Sequence, residues 1–162
     1  MNNVLILITL IFMGCTNPEK ELYIIPKDFK GTVFIVFNVK DGTPKKYLNG
    51  YRLYEIPSDG VLFTQFGSNT GESPIDNIQY KYIRDNDTLS IKEHLLTKDT
   101  TSASPQIFLV RTGMFGDKER YEYISFIVAN YAEWQSSKDV QKFIKDDPTL
   151  NDIIQQRLKN TR

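Results

Sequence analysis

The chain has 162 residues, one thiol, Cys15, and one imidazole, His94. Those two side chains bound most of the chemistry available to it. A zinc site needs three or four His, Cys or carboxylate ligands, and His94 has only Glu93 as an obvious neighbour. Ser–His–Asp hydrolysis needs a strained nucleophile elbow, and the pattern G-x-S-x-G does not occur. The stretch DNDTLSIKE opens like a calcium loop, with Asp85 and Asp87. It then places Leu89 where an oxygen ligand belongs, Ser90 where glycine is needed and Leu96 where the bidentate Glu belongs. Phosphate-binding and dinucleotide-binding glycine patterns are absent from the sequence. Asp28, Asp41, Asp59, Asp76 and Asp117 fall in loop-like segments, and no pair of acids singles itself out for glycoside hydrolysis. The sequence therefore nominates no catalytic residue, no metal ligand and no cofactor. His94 reads as an ordinary histidine at the end of a strand.

Cys15 has a different use. It follows an apolar run, Val4 to Met13, about half as long as the roughly 20 residues that cross a bilayer. A run of that length at the N-terminus reads as the core of a signal peptide. Small Gly14 precedes the cysteine, and polar Thr16, Asn17 and Pro18 follow. This resembles a bacterial lipoprotein signal, in which the thiol takes a diacylglycerol and the chain is cut just before it. Two features depart from the usual pattern: Phe12 and Met13 stand where Leu and a small residue are common, and the head Met1-Asn2-Asn3 lacks a basic residue. On this reading residues 1–14 are removed and residues 15–21 form a lipidated tether. The remainder then sits in the bacterial cell envelope, outside the cytoplasm, held to a membrane by its lipid.

Lys plus Arg equals Asp plus Glu at 20 each, so the chain is formally neutral. No basic surplus points to nucleic acid or to anionic lipid. With Cys15 acylated no thiol is left for a disulfide, and stability must come from packing.

The elements that follow are mostly strands. Leu22 to Ile25 is a short one, stopped by Pro26. Thr32 to Val39 is apolar on both faces and reads as a central strand. Tyr51 to Ile56 and Val61 to Phe66 flank Pro57-Ser-Asp-Gly60, a type I turn signature, and read as a hairpin. Ile78 to Arg84 and Leu89 to Glu93 form another, and Gln106 to Thr112 and Tyr121 to Ala129 a third pair. YIIPKD, from Tyr23, echoes YEIPSD, from Tyr54. The echo reads as two similar strand ends, each closed by a Pro-led turn. From Asn130 the pattern becomes helical: Ser136 to Asp139 offers a cap and acidic first turn, and Asp147-Pro148 opens a second helix. The expected fold is mainly β: an antiparallel β-sandwich of about eight strands over residues 22–129, with two short C-terminal α-helices in an appendage over 130–162.

The tyrosines supply the candidate surface. Tyr80 and Tyr82 share one face of their strand, and Tyr121 and Tyr123 share one of theirs. If the strands pair, the four form an outer patch able to stack on a glycan or contact an envelope protein.

The run from Tyr23 to Phe66 carries Tyr23, Pro26 and Gly31, then Arg52, Tyr54, Ile56, Pro57, Gly60 and Thr64. In these elements it resembles an uncharacterised family of bacterial lipoproteins with a domain of unknown function. The segment RLYEIPSDGVLFT is also similar to transthyretin-like and carboxypeptidase-regulatory-like β-sandwich modules. The resemblance implies an envelope lipoprotein and no known activity. The residues favour a non-catalytic binding or assembly module. A carboxylate-dependent envelope hydrolase and a purely structural envelope component are the alternatives.

Overall fold

The structure, a computed structural model, describes residues 18–69, 77–84, 87–101, 103–116 and 119–136. Cys15, the apolar run before it and the helical patterns expected beyond Ser136 lie outside the described residues. Among the described residues, nine strands and two short helices occur. The strands are β1 (Lys20–Ile25), β2 (Gly31–Val36), β3 (Tyr47–Leu48), β4 (Tyr51–Glu55), β5 (Val61–Phe63), β6 (Ile78–Arg84), β7 (Asp87–Ile91), β8 (Gln106–Phe115) and β9 (Tyr121–Ala129). The helices are α1 (His94–Thr97) and α2 (Tyr131–Ser136).

The expected sandwich is present. One sheet runs β3-β4-β1-β6-β7 and the other β5-β2-β9-β8, with an apolar core between them. The pairing is mixed rather than purely antiparallel, because β1 runs parallel to both β4 and β6, and β2 parallel to β5. The cause lies in the two Pro-led turns. After β1 the chain turns at Pro26, where the Phe29 N–H donates to the Pro26 carbonyl, and enters the other sheet as β2. After β4 it turns at Pro57, where the Gly60 N–H donates to the Pro57 carbonyl, and enters the other sheet as β5.

The turn read at Pro57–Gly60 is therefore correct, but the hairpin around it is not. The two strands it joins lie in different sheets. Each already has neighbours: β4 has β3 and β1, and β5 lies against β2. The sequence echo has a structural meaning as well. Tyr23 and Tyr54 are register partners, so the two Pro-led corners lie side by side and in step.

Alternation sets the core. Tyr23 and Ile25 of β1, Val33 and Ile35 of β2, and Phe126 and Val128 of β9 all point between the sheets and are almost fully buried. Each such apolar side chain stabilises the fold by roughly 1.5–3 kcal/mol relative to an exposed one. The expectation that β2 is central holds: it lies between β5 and β9, and its other face packs Val36 against Phe115, Phe63 and Tyr123. The β6–β7 and β8–β9 hairpins are also found.

Two elements depart from expectation. Strand β1 begins at Lys20, so Glu21 belongs to the sheet and not to a tether. Helix α2 already stands over Tyr131–Ser136, while the cap expected over Ser136 to Asp139 lies largely outside the described residues. Its cap is Asn130, whose side chain accepts the Glu133 N–H at 2.8 Å while the Glu133 carboxylate accepts the Asn130 N–H at 3.1 Å. This reciprocal pair is a capping box.

Gly60 makes the second corner possible. Its φ is +79°, and a Cβ there would stand 2.5 Å from the Thr32 carbonyl oxygen and 2.9 Å from the Phe29 ring. Gly60→Val is expected to destabilise the domain by roughly 1–3 kcal/mol or more, from backbone strain with a backbone collision added. Ser58→Ala, in the exposed part of the same turn, should stay within about 0.5 kcal/mol. Urea melts of the two variants check the pair, and equal midpoints would contradict the corner geometry.

Candidate functional site: a pocket at the rim of the two sheets

Parallel strands in register place like residues side by side. Tyr23 of β1 is the register partner of Tyr54 in β4 and of Tyr80 in β6. Neighbouring strands lie about 4.8 Å apart. The three rings accordingly stack in a row, with centroids 5.0 Å apart at both steps and planes within 18° and 16°. Phe126 from the opposite sheet meets Tyr23 and Tyr80 edge-on at 5.7 and 5.3 Å. Offset and edge contacts of this kind are the favoured aromatic geometries.

The hydroxyls of this row are buried and need acceptors. Glu21 supplies two: Tyr23 Oη donates to Oε2 at 2.9 Å and Tyr54 Oη to Oε1 at 3.2 Å. Glu93 supplies the third, accepting from Tyr80 Oη at 3.2 Å. Glu21 is only 5% exposed. Burial pushes its carboxyl above the usual range, against the tyrosine hydrogen bonds and the Arg52 charge, which pull it down. Burial, with the Glu21 charge added, raises the Tyr23 and Tyr54 hydroxyls, so both stay protonated donors.

Glu21 also lines a cavity of about 390 Å³ between the sheets. Glu122, Ile124, Thr112 and Met114 contribute from β9 and β8, Phe37 from the end of β2, and Ser68 and Asn69 from the loop after β5. That loop is fixed. Asn69 accepts the Glu19 N–H at 3.0 Å and donates to the Glu19 carbonyl at 2.7 Å, and Arg52 Nη1 donates to the Gly67 carbonyl at 2.7 Å. Ser68 Oγ donates to Glu122. The pocket combines apolar walls with carboxylate, hydroxyl and amide groups, and among the described residues no Lys, Arg, His or Cys lines it. Such a lining suits a small polar ligand that donates hydrogen bonds, such as a sugar or an amine.

The four tyrosines expected to form an outer patch are not brought together. Tyr80 and Tyr82 point into the core at 4% and 8% exposure, and β6 pairs with β1 and β7, not with β9. Tyr80 is part of the stacked row, and Tyr82 Oη donates to the Phe29 carbonyl at 3.3 Å. Tyr121 and Tyr123 stand in the other sheet, half-buried beside Phe115. The Tyr123 ring lies over Gly113, its register partner, where a Cβ would come within 2.5 Å of the hydroxyl. Burial explains the error: alternation tells which side chains share a face, but not whether that face is inside.

His94 opens α1 and is half-buried, not at a strand edge. Its Nδ1 lies 2.9 Å from Gln106 Oε1, and its ring stacks on Phe108 at 4.8 Å. Phe108 stacks in turn on Trp134 of α2, 4.8 Å away and 6° from parallel. The cluster ties α2 to the sandwich. Glu93, the one acid adjacent in sequence, turns to Tyr80. Among the described residues no group of three or more His, Cys, Asp or Glu could hold a metal ion. Asp87 accepts its neighbour Thr88's N–H at 2.7 Å.

Residues 17–138 match the profile of a family of unknown function, DUF6843. The chain belongs to that family. The resemblance to a family carrying a domain of unknown function is thus borne out. No curated protein matches the chain. The fold is similar to that of a candidate lipoprotein from Bacillus anthracis, known from a 2.75 Å crystal structure. The TM-score is 0.56 at 16% identity, over 85% of this chain and 95% of that one. At that identity the likeness is one of fold. Among the described residues no helix is long and apolar enough to cross a membrane.

The raised carboxyl of Glu21 has a measurable consequence. In the window just above the usual carboxylate range the folded state holds a proton there that the unfolded state has lost. Stability from this group therefore falls as pH rises through that window and is fully present below it. Glu19 and Glu133 act below the usual range and with opposite sign, their carboxyls being held down by Arg52 and Lys30. Glu21→Gln should flatten the decline above the usual range and leave the acid limb in place. Urea titrations at stepped pH check this, and an unchanged slope in Glu21→Gln would assign the decline to another group.

Proposed function

We propose that the chain is a membrane-anchored envelope lipoprotein, lipidated at Cys15, whose domain is a non-catalytic binding module with the inter-sheet pocket as its ligand site. The observation that carries the binding reading is how the pocket's acids are engaged. Both oxygens of Glu21 hold tyrosine hydroxyls of the core, and Glu122 takes the Ser68 hydroxyl. Acids already held in this way, Glu21 by the core and Glu122 by a loop serine, fit recognition better than turnover. The lipid anchor is supported by the signal-like segment and by the fold shared with a candidate lipoprotein. Palmitate and signal cleavage belong to the same reading.

One observation favours a second reading, a carboxylate-dependent hydrolase: Glu21 and Glu122 line one cavity, and the Glu21 carboxyl sits above its usual range. The two readings separate in one experiment. The purified protein is incubated with cell-wall glycan fragments, with binding followed by thermal shift and cleavage by mass spectrometry. Binding without product is expected. Product formation that is lost in both Glu21→Gln and Glu122→Gln would replace the binding module with an enzyme.

The anchor is tested separately. Labelled palmitate should enter the parent and not Cys15→Ala. Label retained by the variant would sink the lipoprotein reading.

A further inference from the structure

The β3–β4 hairpin stands at the end of the sheet where β1 begins, since Tyr51 is the register partner of both Lys20 and Leu48. The chain before β1 leaves from the same place. Glu19 is held there by Asn69 through its backbone and by Tyr47 Oη at 3.1 Å and Arg52 through its carboxylate. Only four residue steps separate Glu19 from Cys15. Fully extended they reach about 14 Å. A lipid on Cys15 therefore keeps this rim of the sandwich within about 14 Å of the bilayer surface.

The hairpin has the surface such a position calls for. Tyr47 and Leu48, just before the turn, are 56% and 45% exposed and project from opposite faces of the hairpin. The segment Pro44–Arg52 carries Lys45, Lys46 and Arg52 and no acidic residue. Lys46 makes one ion pair, with Glu55 at 2.8 Å, and both side chains are more than half exposed. An exposed pair of that kind is weak, and an anionic headgroup can displace it. The tip is also stiff. Asn49 and Gly50 both have positive φ, +51° and +80°, the turn that pairs two strands through two residues.

We propose that the β3–β4 hairpin is a second membrane contact, with Tyr47 and Leu48 at the bilayer interface and Lys45 and Lys46 on anionic headgroups. It rests on the lipoprotein reading given above. Aromatic and basic residues together are the side chains that favour this interface. The hairpin sets which face of the domain looks at the membrane, where a lipid alone leaves it free to turn.

Acylation leaves the protein without a free thiol, which gives a direct test. Leu48→Cys and Ser58→Cys are made in the full-length lipoprotein, and each new thiol is labelled with an environment-sensitive dye. Ser58 lies in the exposed turn beyond the opposite end of β4. Both proteins are reconstituted into vesicles of phosphatidylethanolamine and phosphatidylglycerol containing a spin-labelled lipid. The dye at position 48 is expected to shift to shorter wavelength and be quenched several-fold more than the dye at 58. Replacing Lys45 and Lys46 together by Gln should weaken that quenching while the protein stays on the vesicles. Equal quenching at the two positions, with the protein still vesicle-bound, would overturn the hairpin contact and leave the anchor standing. A second dye on Cys15, with protein lost from the vesicles, would overturn the lipoprotein reading and the hairpin contact with it.

Discussion

Three tyrosine rings stacked across three parallel strands are the contact on which the rest of this domain depends. Strand spacing alone brings Tyr54, Tyr23 and Tyr80 to 5.0 Å steps, but only if β4, β1 and β6 keep their register. A one-residue slip of β1 would turn Tyr23 out of the core and Ile24 into it. The row also fixes the polar groups around it. Three buried hydroxyls require acceptors, and Glu21 and Glu93 are placed where they provide them. The acid that lines the pocket is thus first a requirement of the core. Chemistry at that pocket works with a carboxylate the fold needs for itself.

The same register explains the topology. Two strand–corner–strand units, β1–β2 and β4–β5, lie alongside each other, each passing from one sheet to the other through a turn closed on a proline carbonyl. The echo between YIIPKD and YEIPSD was visible in the residues, and so were both turns. That the strands run parallel across the corners was not. A tight turn between two apolar strands is compatible with a hairpin or with a change of sheet, and local sequence does not separate them. The competition is decided by which strand edges are already occupied, a property of the whole sheet.

Other features were legible in part. All eight strands expected from alternation are present, β2 is central, and two of the hairpins have the expected partners. Strand β3 was missed although Asn49-Gly50 between Tyr47-Leu48 and Tyr51-Arg52 is a strong hairpin signal. Two residues of strand are too few for periodicity to register. The cap at Asn130 is hard to read for a similar reason: Asn130 and Glu133 stand at capping-box spacing, but the apolar helical stripe in the sequence begins after them. The pocket could not be read from sequence at all. Thr112 and Glu122 share the β8–β9 hairpin, but Glu21 and Ser68 are far from it in the chain, and only the closure of one sheet over the other brings Glu21 to it.

The position of β1 governs how the domain bears a load. It is the middle strand of its sheet, hydrogen-bonded along its length on both sides, and everything N-terminal to Lys20 joins the domain through it. A pull along the strand from that end is spread over two parallel ladders at once. The bonds are strained together in shear and cannot open one after another. The Asn69 clasp on Glu19 adds a third attachment just before the first rung. A domain tied to a moving surface through this strand is detached only when both ladders give way together.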